Sequence, residues 1–245
     1  MSDGIIVEGR AYPVIHPVTK QPIRVRAWTD PPGEGPRVPE FRVGDGYNKK
    51  RAKWPVDLFV WHWTGGEAEP ERVAETLRQR KFGVEFAIGR YGSIYQFCDP
   101  AYVDTADAGF ANSRSVGCEV VNYGYRSWTY DPVRAIKLGP VIPKLGLDRP
   151  TYPASIHNRK LPPLARFYQE QIHSAVALAE AFSSAVPSVS RKVPVDVSGK
   201  LTTAVHDIAA WSGHLGHYHL TERKLDPGLD LLEALRQRFA AGGIS

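Results

Sequence analysis

Residues 57–63, Asp-Leu-Phe-Val-Trp-His-Trp, constrain the fold more than any other stretch of this chain. The run is almost continuously apolar, and it ends in a histidine, a threonine and a Gly-Gly turn at Gly65-Gly66. A strand with one wet face would alternate apolar and polar residues. One without alternation must be covered on both faces, which calls for layers on either side of a sheet. The expected fold class is therefore α/β, with a sheet covered on both faces.

The other elements follow from local pattern. Residues 5–14 read as a hairpin turning at Glu8-Gly9, and a short strand is expected at 24–28. Residues 30–47 are rich in proline and glycine and read as an irregular connector. Residues 1–50 are taken as an N-terminal β-hairpin extension and 51–245 as the main domain. Pro70 opens a helix with Val73 and Leu77 on one face. Residues 85–88 and 93–97 form a hairpin around Arg90-Tyr91-Gly92, and 115–122 form a further strand. Residues 129–163 hold many prolines and few periodic runs, so a long surface loop is expected. A helix is expected over 163–185, where Leu164, Phe167, Ile172, Val176 and Ala179 repeat helically. A second connector at 186–199, a loop at 213–228 and a terminal helix over 229–241 complete the chain.

Composition narrows the function classes. At 245 residues the chain can bury one good core, and no run of apolar residues is long enough to span a membrane. The formal net charge is +5, which favours an anionic polymer as partner. Basic residues cluster only at Lys49–Lys53 and Arg191-Lys192, so nucleic acid is not expected. The N-terminus lacks the basic start and apolar core of a signal peptide, so synthesis in a cytoplasm is expected, with any action outside following release or dedicated export. Cys98 and Cys118 are the only cysteines, and in such a chain they are expected as buried free thiols.

Two distant segments carry the candidate chemistry. One is the strand ending at His62. The other runs from Gly216-His217 through Lys224 to Asp226-Pro227-Gly228. Two histidines and an aspartate suit one divalent metal with a position left open for water, an arrangement found in catalytic zinc sites. Each residue also has a plainer role. His62 fits between two tryptophans in a core, Asp226 before Pro-Gly fits a turn, and His214 and His219 compete with His217. Glu119, amid Val116, Cys118 and Val120, is a strand carboxylate that must face a polar groove to avoid an unpaired buried charge.

In these blocks the sequence resembles the zinc-dependent N-acetylmuramoyl-L-alanine amidases of the type-2 class, a family that includes phage lysozyme-type amidases and the peptidoglycan recognition proteins. The first block is residues 59–66. The middle block comprises residues 86–96, Asp107-Ala108-Gly109 and residues 112–122. The last is residues 216–228. The order and separation of the blocks make the resemblance specific, and it covers roughly 56–122 and 205–232. It implies a single mixed central sheet flanked by helices, with Zn2+ at the bottom of a groove. It also implies that His62, His217 and Asp226 are the ligands, Glu119 the general base and Lys224 a cation stabilising the oxyanion. Trp63, Thr64, Asp107 and Asn112 are expected to contact substrate, and the aromatic residues Tyr123, Tyr125, Trp128 and Tyr130 are candidates to pack against it.

Two departures stand out. Val84 replaces a tyrosine common in relatives, which leaves more acid–base work to Glu119, and Asp107-Ala-Gly replaces His-Ala-Gly.

The implied reaction is hydrolysis of the amide joining N-acetylmuramic acid to L-alanine, on peptidoglycan or a muropeptide, by a monomer that does not insert into membranes. Wall lysis of the endolysin type is the expected role. Two rivals are a non-catalytic peptidoglycan-binding protein, which a missing ligand would have signalled, and a cytoplasmic muropeptide-recycling amidase.

Overall fold

The computed structural model describes residues 4–31, 37–124, 149–205 and 207–242. Chain order is β1 (Gly4–Val7), β2 (Arg10–Pro13), β3 (Val25–Ala27), β4 (Lys49–Lys50), β5 (Leu58–Trp63), α1 (Pro70–Gln79), β6 (Phe86–Ile88), β7 (Ile94–Gln96), β8 (Val103–Asp104) and β9 (Ser115–Val120). It continues with β10 (Thr151–Tyr152), β11 (Ser155–Ile156), β12 (Arg159–Lys160), β13 (Leu164–Ala165), α2 (Gln169–Ala185), β14 (Gly213–Gly216) and α3 (Asp230–Ala241).

Six strands form one mixed sheet in the order β14-β5-β9-β6-β7-β3. The four strands from β14 to β6 run parallel, β7 turns back antiparallel to β6, and β3 adds parallel to β7. The expected α/β architecture is thus present, and β5 lies inside the sheet between β14 and β9. Alternation along β5 sends Phe59 and Trp61 into one apolar cluster and Leu58 and Val60 into another. The first cluster lies under α2 and α3, where Phe182 meets the Phe59 ring edge-on at 5.1 Å between centroids. On the far side, α1 contributes Ala74 and Leu77 to a cluster with Phe41, Val84 and Phe97. On β5 itself the far face, Leu58 and Val60, is covered by Ala108, Ala111, Leu215 and Leu220, and this double cover explains why β5 shows no alternation in its sequence.

The β1–β2 hairpin turns at Glu8-Gly9 as expected, with both residues at positive φ (52° and 72°). Its turn is held by Asp99, whose Oδ1 and Oδ2 accept from Glu8 N at 3.1 Å and Gly9 N at 2.8 Å. Gln96 in β7 clasps the hairpin from the sheet, accepting from Ile6 N and donating to Ile6 O, both at 2.7 Å. With β3 at the sheet edge, Ile5, Val7, Val14 and Val25 join the main core.

Three expectations need correction. The loop expected at 213–228 opens instead as strand β14, which pairs parallel with β5. The helix expected over 163–185 starts at Gln169, because Leu164–Ala165 pair instead with Thr151–Tyr152. Leu164 and Phe167 are buried from an extended segment, which explains their misleading apolar spacing. Tyr168 then precedes the helix, and its backbone N–H donates to Gln171 Oε1 at 3.1 Å. The described end of the expected long loop, 149–163, is also not featureless: it carries β10, β11 and β12, with Tyr152 and Ile156 in the core. Residues 129–148 of that loop lie outside the described residues, as do Tyr125, Trp128 and Tyr130.

No helix among the described residues is long and apolar enough to cross a membrane. Cys98 and Cys118 are both buried free thiols, in separate apolar clusters.

Candidate active site

The sheet topology determines what can meet at its carboxyl end. In the β5–β9 register His62 sits beside Glu119, and in the β14–β5 register Gly216 sits beside Trp61. Chain leaving β14 therefore delivers His217 next to His62. The site forms where parallel strands end, the usual place for a crevice in an open α/β sheet.

His62 Nδ1 lies 3.0 Å from His217 Nδ1 and 3.2 Å from Asp226 Oδ2, and His217 Nδ1 lies 3.1 Å from the same oxygen. Among the described residues this is the one group of three or more His, Cys, Asp or Glu side chains placed to hold a metal ion. All three residues are buried. The Asp226 loop is tied to the turn after β14 by the Tyr218 N–H donating to Asp226 O at 3.2 Å.

The competing histidines have other duties. His214 points to the helix side of the sheet, where its Nδ1 accepts from Trp61 Nε1 at 3.3 Å and its Nε2 meets Ser183 Oγ at 3.0 Å. Burial pushes its pKa down to about 3, so it stays neutral. His219 Nδ1 accepts from Gly216 N at 2.9 Å, and its Nε2 donates to Thr202 O at 2.9 Å. Both its nitrogens are used in shaping the turn, and burial pushes its pKa down to about 4.

The electrostatics at the His–His–Asp group favour positive charge. Burial alone would lower the pKa of His62, but the carboxylates of Asp107 and Asp226 outweigh it and lift the pKa to about 10. Burial opposes ionisation of Asp226 as well, and the two histidines nonetheless hold it well below the usual carboxylate range. His217 is shifted down, chiefly by burial. Glu119 is pushed up to about 7, by burial first, with the positive charges of His62 and Lys224 acting against the shift. Its Oε2 has no hydrogen-bond partner, which is costly for a buried carboxylate and common where a group must be free to work.

These residues line a groove of about 430 Å³. One end of its lining is polar and holds His62, Asp107, Glu119, His217, Lys224 and Asp226. The other is a wall from α1 and the turn after it, with Val73, Leu77, Arg80 and Phe82. Sequence reading passed over this wall because no motif marks it. Only the inward spacing of Val73 and Leu77 on α1 hinted at a packed face.

Of the residues expected to touch substrate, Trp63, Thr64 and Asp107 line the groove. Thr64 also shapes the turn after β5, with its hydroxyl donating to Gly66 O at 2.7 Å and accepting from Asn122 N at 3.2 Å. Asn112 is not among the lining residues. Its Oδ1 accepts from Ala108 N at 2.7 Å and so braces the turn that carries Asp107. Val84 is fully buried beneath α1 and offers nothing to the groove.

The comparisons with known proteins agree in kind. The sequence model of the N-acetylmuramoyl-L-alanine amidase family matches residues 52–229. No curated protein matches the chain. Among solved structures, similarity extends to the endolysin N-acetylmuramoyl-L-alanine amidase LysCS from Clostridium intestinale, with 13% identity over 84% of this chain and 96% of that one (TM-score 0.46). The amidase AmiD from E. coli shares 16% identity over 80% of this chain and 61% of its own (TM-score 0.48). The Drosophila peptidoglycan recognition protein SD shares 16% over 88% and 94% (TM-score 0.45). With most of its length matched by one family, this chain belongs to the N-acetylmuramoyl-L-alanine amidases and is a peptidoglycan amidase.

Proposed function

We propose that the enzyme is zinc-dependent, that His62, His217 and Asp226 hold the metal, and that it acts on polymeric cell wall in an endolysin-like role. The observation that carries the metal reading is the spacing of the three donor atoms. Tetrahedral zinc with ligands at about 2.0–2.1 Å needs donors about 3.3 Å apart. The separations here are 3.0, 3.1 and 3.2 Å, and the donor set of two imidazoles and one carboxylate suits zinc. A zinc ion held by three protein ligands would keep one coordination position for water, the pattern of a catalytic rather than a structural site.

A zinc ion bound there supplies Lewis acidity toward water and toward the scissile carbonyl. The chain's own groups do the rest. Glu119, shifted to about 7, accepts a proton from the attacking water and delivers it to the departing amine of L-alanine. Lys224, on the same groove, places its ammonium where negative charge develops on the carbonyl oxygen. The wall of Val73, Leu77 and Phe82 takes the apolar surface of the ligand, with Arg80 at its edge. The net charge of +5 favours association with anionic wall polymers over small soluble muropeptides. Residues 1–50 serve as an extension that adds the edge strand β3 to the sheet.

The test is turnover of purified peptidoglycan by zinc-loaded and chelator-stripped protein, with products identified by mass spectrometry. Zinc-dependent release of stem peptides beginning with L-alanine is expected. Activity retained in fully stripped protein would overturn the metal reading. Cleavage of soluble muropeptides alone would overturn the wall-polymer reading.

A further inference from the structure

The Asp107-Ala-Gly sequence acquires a role from what lies behind His62. While Nδ1 of His62 faces His217 and Asp226, its Nε2 lies 3.2 Å from Asp107 Oδ2. A carboxylate oxygen in that position accepts a hydrogen bond from Nε2–H. A ring that ligates a metal through Nδ1, the atom aimed at the point where the three donors converge, would keep its one proton on Nε2.

The surroundings are built to keep that carboxylate in place. Asn112 braces the turn through Ala108 N at 2.7 Å. Behind Asp107, position 117 in β9 is glycine, and a Cβ there would collide with Asp107 Oδ2. Gly117 N donates to Glu85 Oε2 at 2.8 Å, and the fully buried Arg51 pairs with Glu85 Oε1 at 2.9 Å. Arg51 also donates to Asn112 O at 3.3 Å, so one guanidinium ties the Asp107 turn to the carboxylate beside it.

We propose that Asp107 is a positioning residue for the metal: it fixes the tautomer and ring orientation of His62 and thereby raises zinc affinity, rather than reading substrate. The inference rests on the zinc reading given above. Carboxylates that accept the second N–H of a metal-bound histidine typically contribute 10–100-fold to metal affinity.

The test uses the full chain with Asp107→Ala and Asp107→Asn, and zinc alone as the probe. Zinc affinity is measured by competition with a chromophoric chelator, the apo fold by thermal melting, and the His62 ring by 1H–15N correlation of its side-chain N–H. Asp107→Ala is expected to weaken zinc binding by about 10–100-fold and to abolish the slowly exchanging His62 Nε2–H signal. Asp107→Asn keeps an acceptor oxygen without the charge, so it should fall between wild type and alanine and keep the signal. If Asp107→Ala does not fold, the asparagine variant alone decides, by weakened zinc affinity with a cooperative apo melt. Unchanged zinc affinity and an unchanged Nε2–H signal, with only KM raised, would overturn the proposal and return Asp107 to substrate contact. Wild-type protein that binds no zinc would instead sink the metal reading on which it rests.

Discussion

On the helix side of β5 and β9 lie Phe59, Trp61, Val116, Cys118 and Val120, and on the groove side of the same strands lie His62, Gly117 and Glu119. Both sides bury a histidine close to Trp61. On the helix side His214 is enclosed by Trp61 and Ser183, and each ring nitrogen has a neutral partner. On the groove side His62 is surrounded by carboxylates, and the neighbouring Glu119 Oε2 has no partner at all. Burial is therefore common to both sides and marks neither as a site. What separates them is whether the buried polar groups satisfy one another. Around His214 the polar atoms pair with one another, whereas around His62 the Glu119 carboxylate keeps an unpaired oxygen, as the proposed cation and ligand would require.

The sharpest way to break this contrast is to remove one histidine from each side. His217→Ala should eliminate stoichiometric zinc and wall hydrolysis while leaving a folded protein, because it removes a ligand while His62 stays paired with Asp226. His214→Ala should do the reverse. It leaves Trp61 Nε1 and Ser183 Oγ without partners around a small cavity, for a cost of about 2–4 kcal/mol, yet zinc content per folded molecule should stay at the wild-type level. Metal analysis beside thermal melting reads both. Zinc retained in His217→Ala would erase the distinction.

Glu119→Gln comes next in size. Turnover should fall by about 10²–10⁴-fold with zinc still bound. The same change should stabilise the metal-free protein, with a sign that depends on pH. The carboxyl is raised in the fold to about 7 from an ordinary 4.5, so the folded state disfavours its ionisation. That penalty is absent below pH 4.5, grows as pH rises and is complete above pH 7. Metal-free Glu119→Gln should therefore match wild type at pH 4 and exceed it at pH 8, by about 3 kcal/mol. Bound zinc favours the carboxylate and should shrink the gain. Equal pH profiles for the two metal-free proteins would show that Glu119 is satisfied after all.

Lys224→Met should lower kcat by about 10²–10³-fold and leave both zinc content and stability near wild type. A change confined to KM would place the ammonium on substrate rather than on the developing charge.

Much of this contrast was legible in the chain, and the limits have physical causes. The unbroken apolar run of β5 announced cover on both faces, and Glu8-Gly9 and Pro70 punctuated the hairpin and helix because their backbone preferences are local. The choice among His214, His217 and His219 was open, since it depends on hydrogen bonds to Trp61, Ser183 and Thr202 from distant parts of the chain. The contact between Asp107 and His62 was invisible for the same reason: it needs a glycine at 117 on the adjoining strand. Leu164 and Phe167 mimicked a helical face because both point inward from an extended segment, and periodicity alone cannot separate those cases.

The cysteines offer the gentlest probe of how well each side is sealed. Cys118 belongs to the cluster under α2 and α3, and Cys98 to the cluster under α1, so no disulfide joins them. Burial pushes both thiols well above their ordinary pKa, which suppresses the reactive thiolate. Reductant should leave the melting temperature unchanged, and an aromatic disulfide reagent should label neither residue until the protein unfolds. Labelling of Cys118 in native protein would mean that the helix side opens without global unfolding. That side would then lose its claim to be the closed partner in the comparison, whereas labelling of Cys98 alone would locate the opening under α1, beside the groove wall.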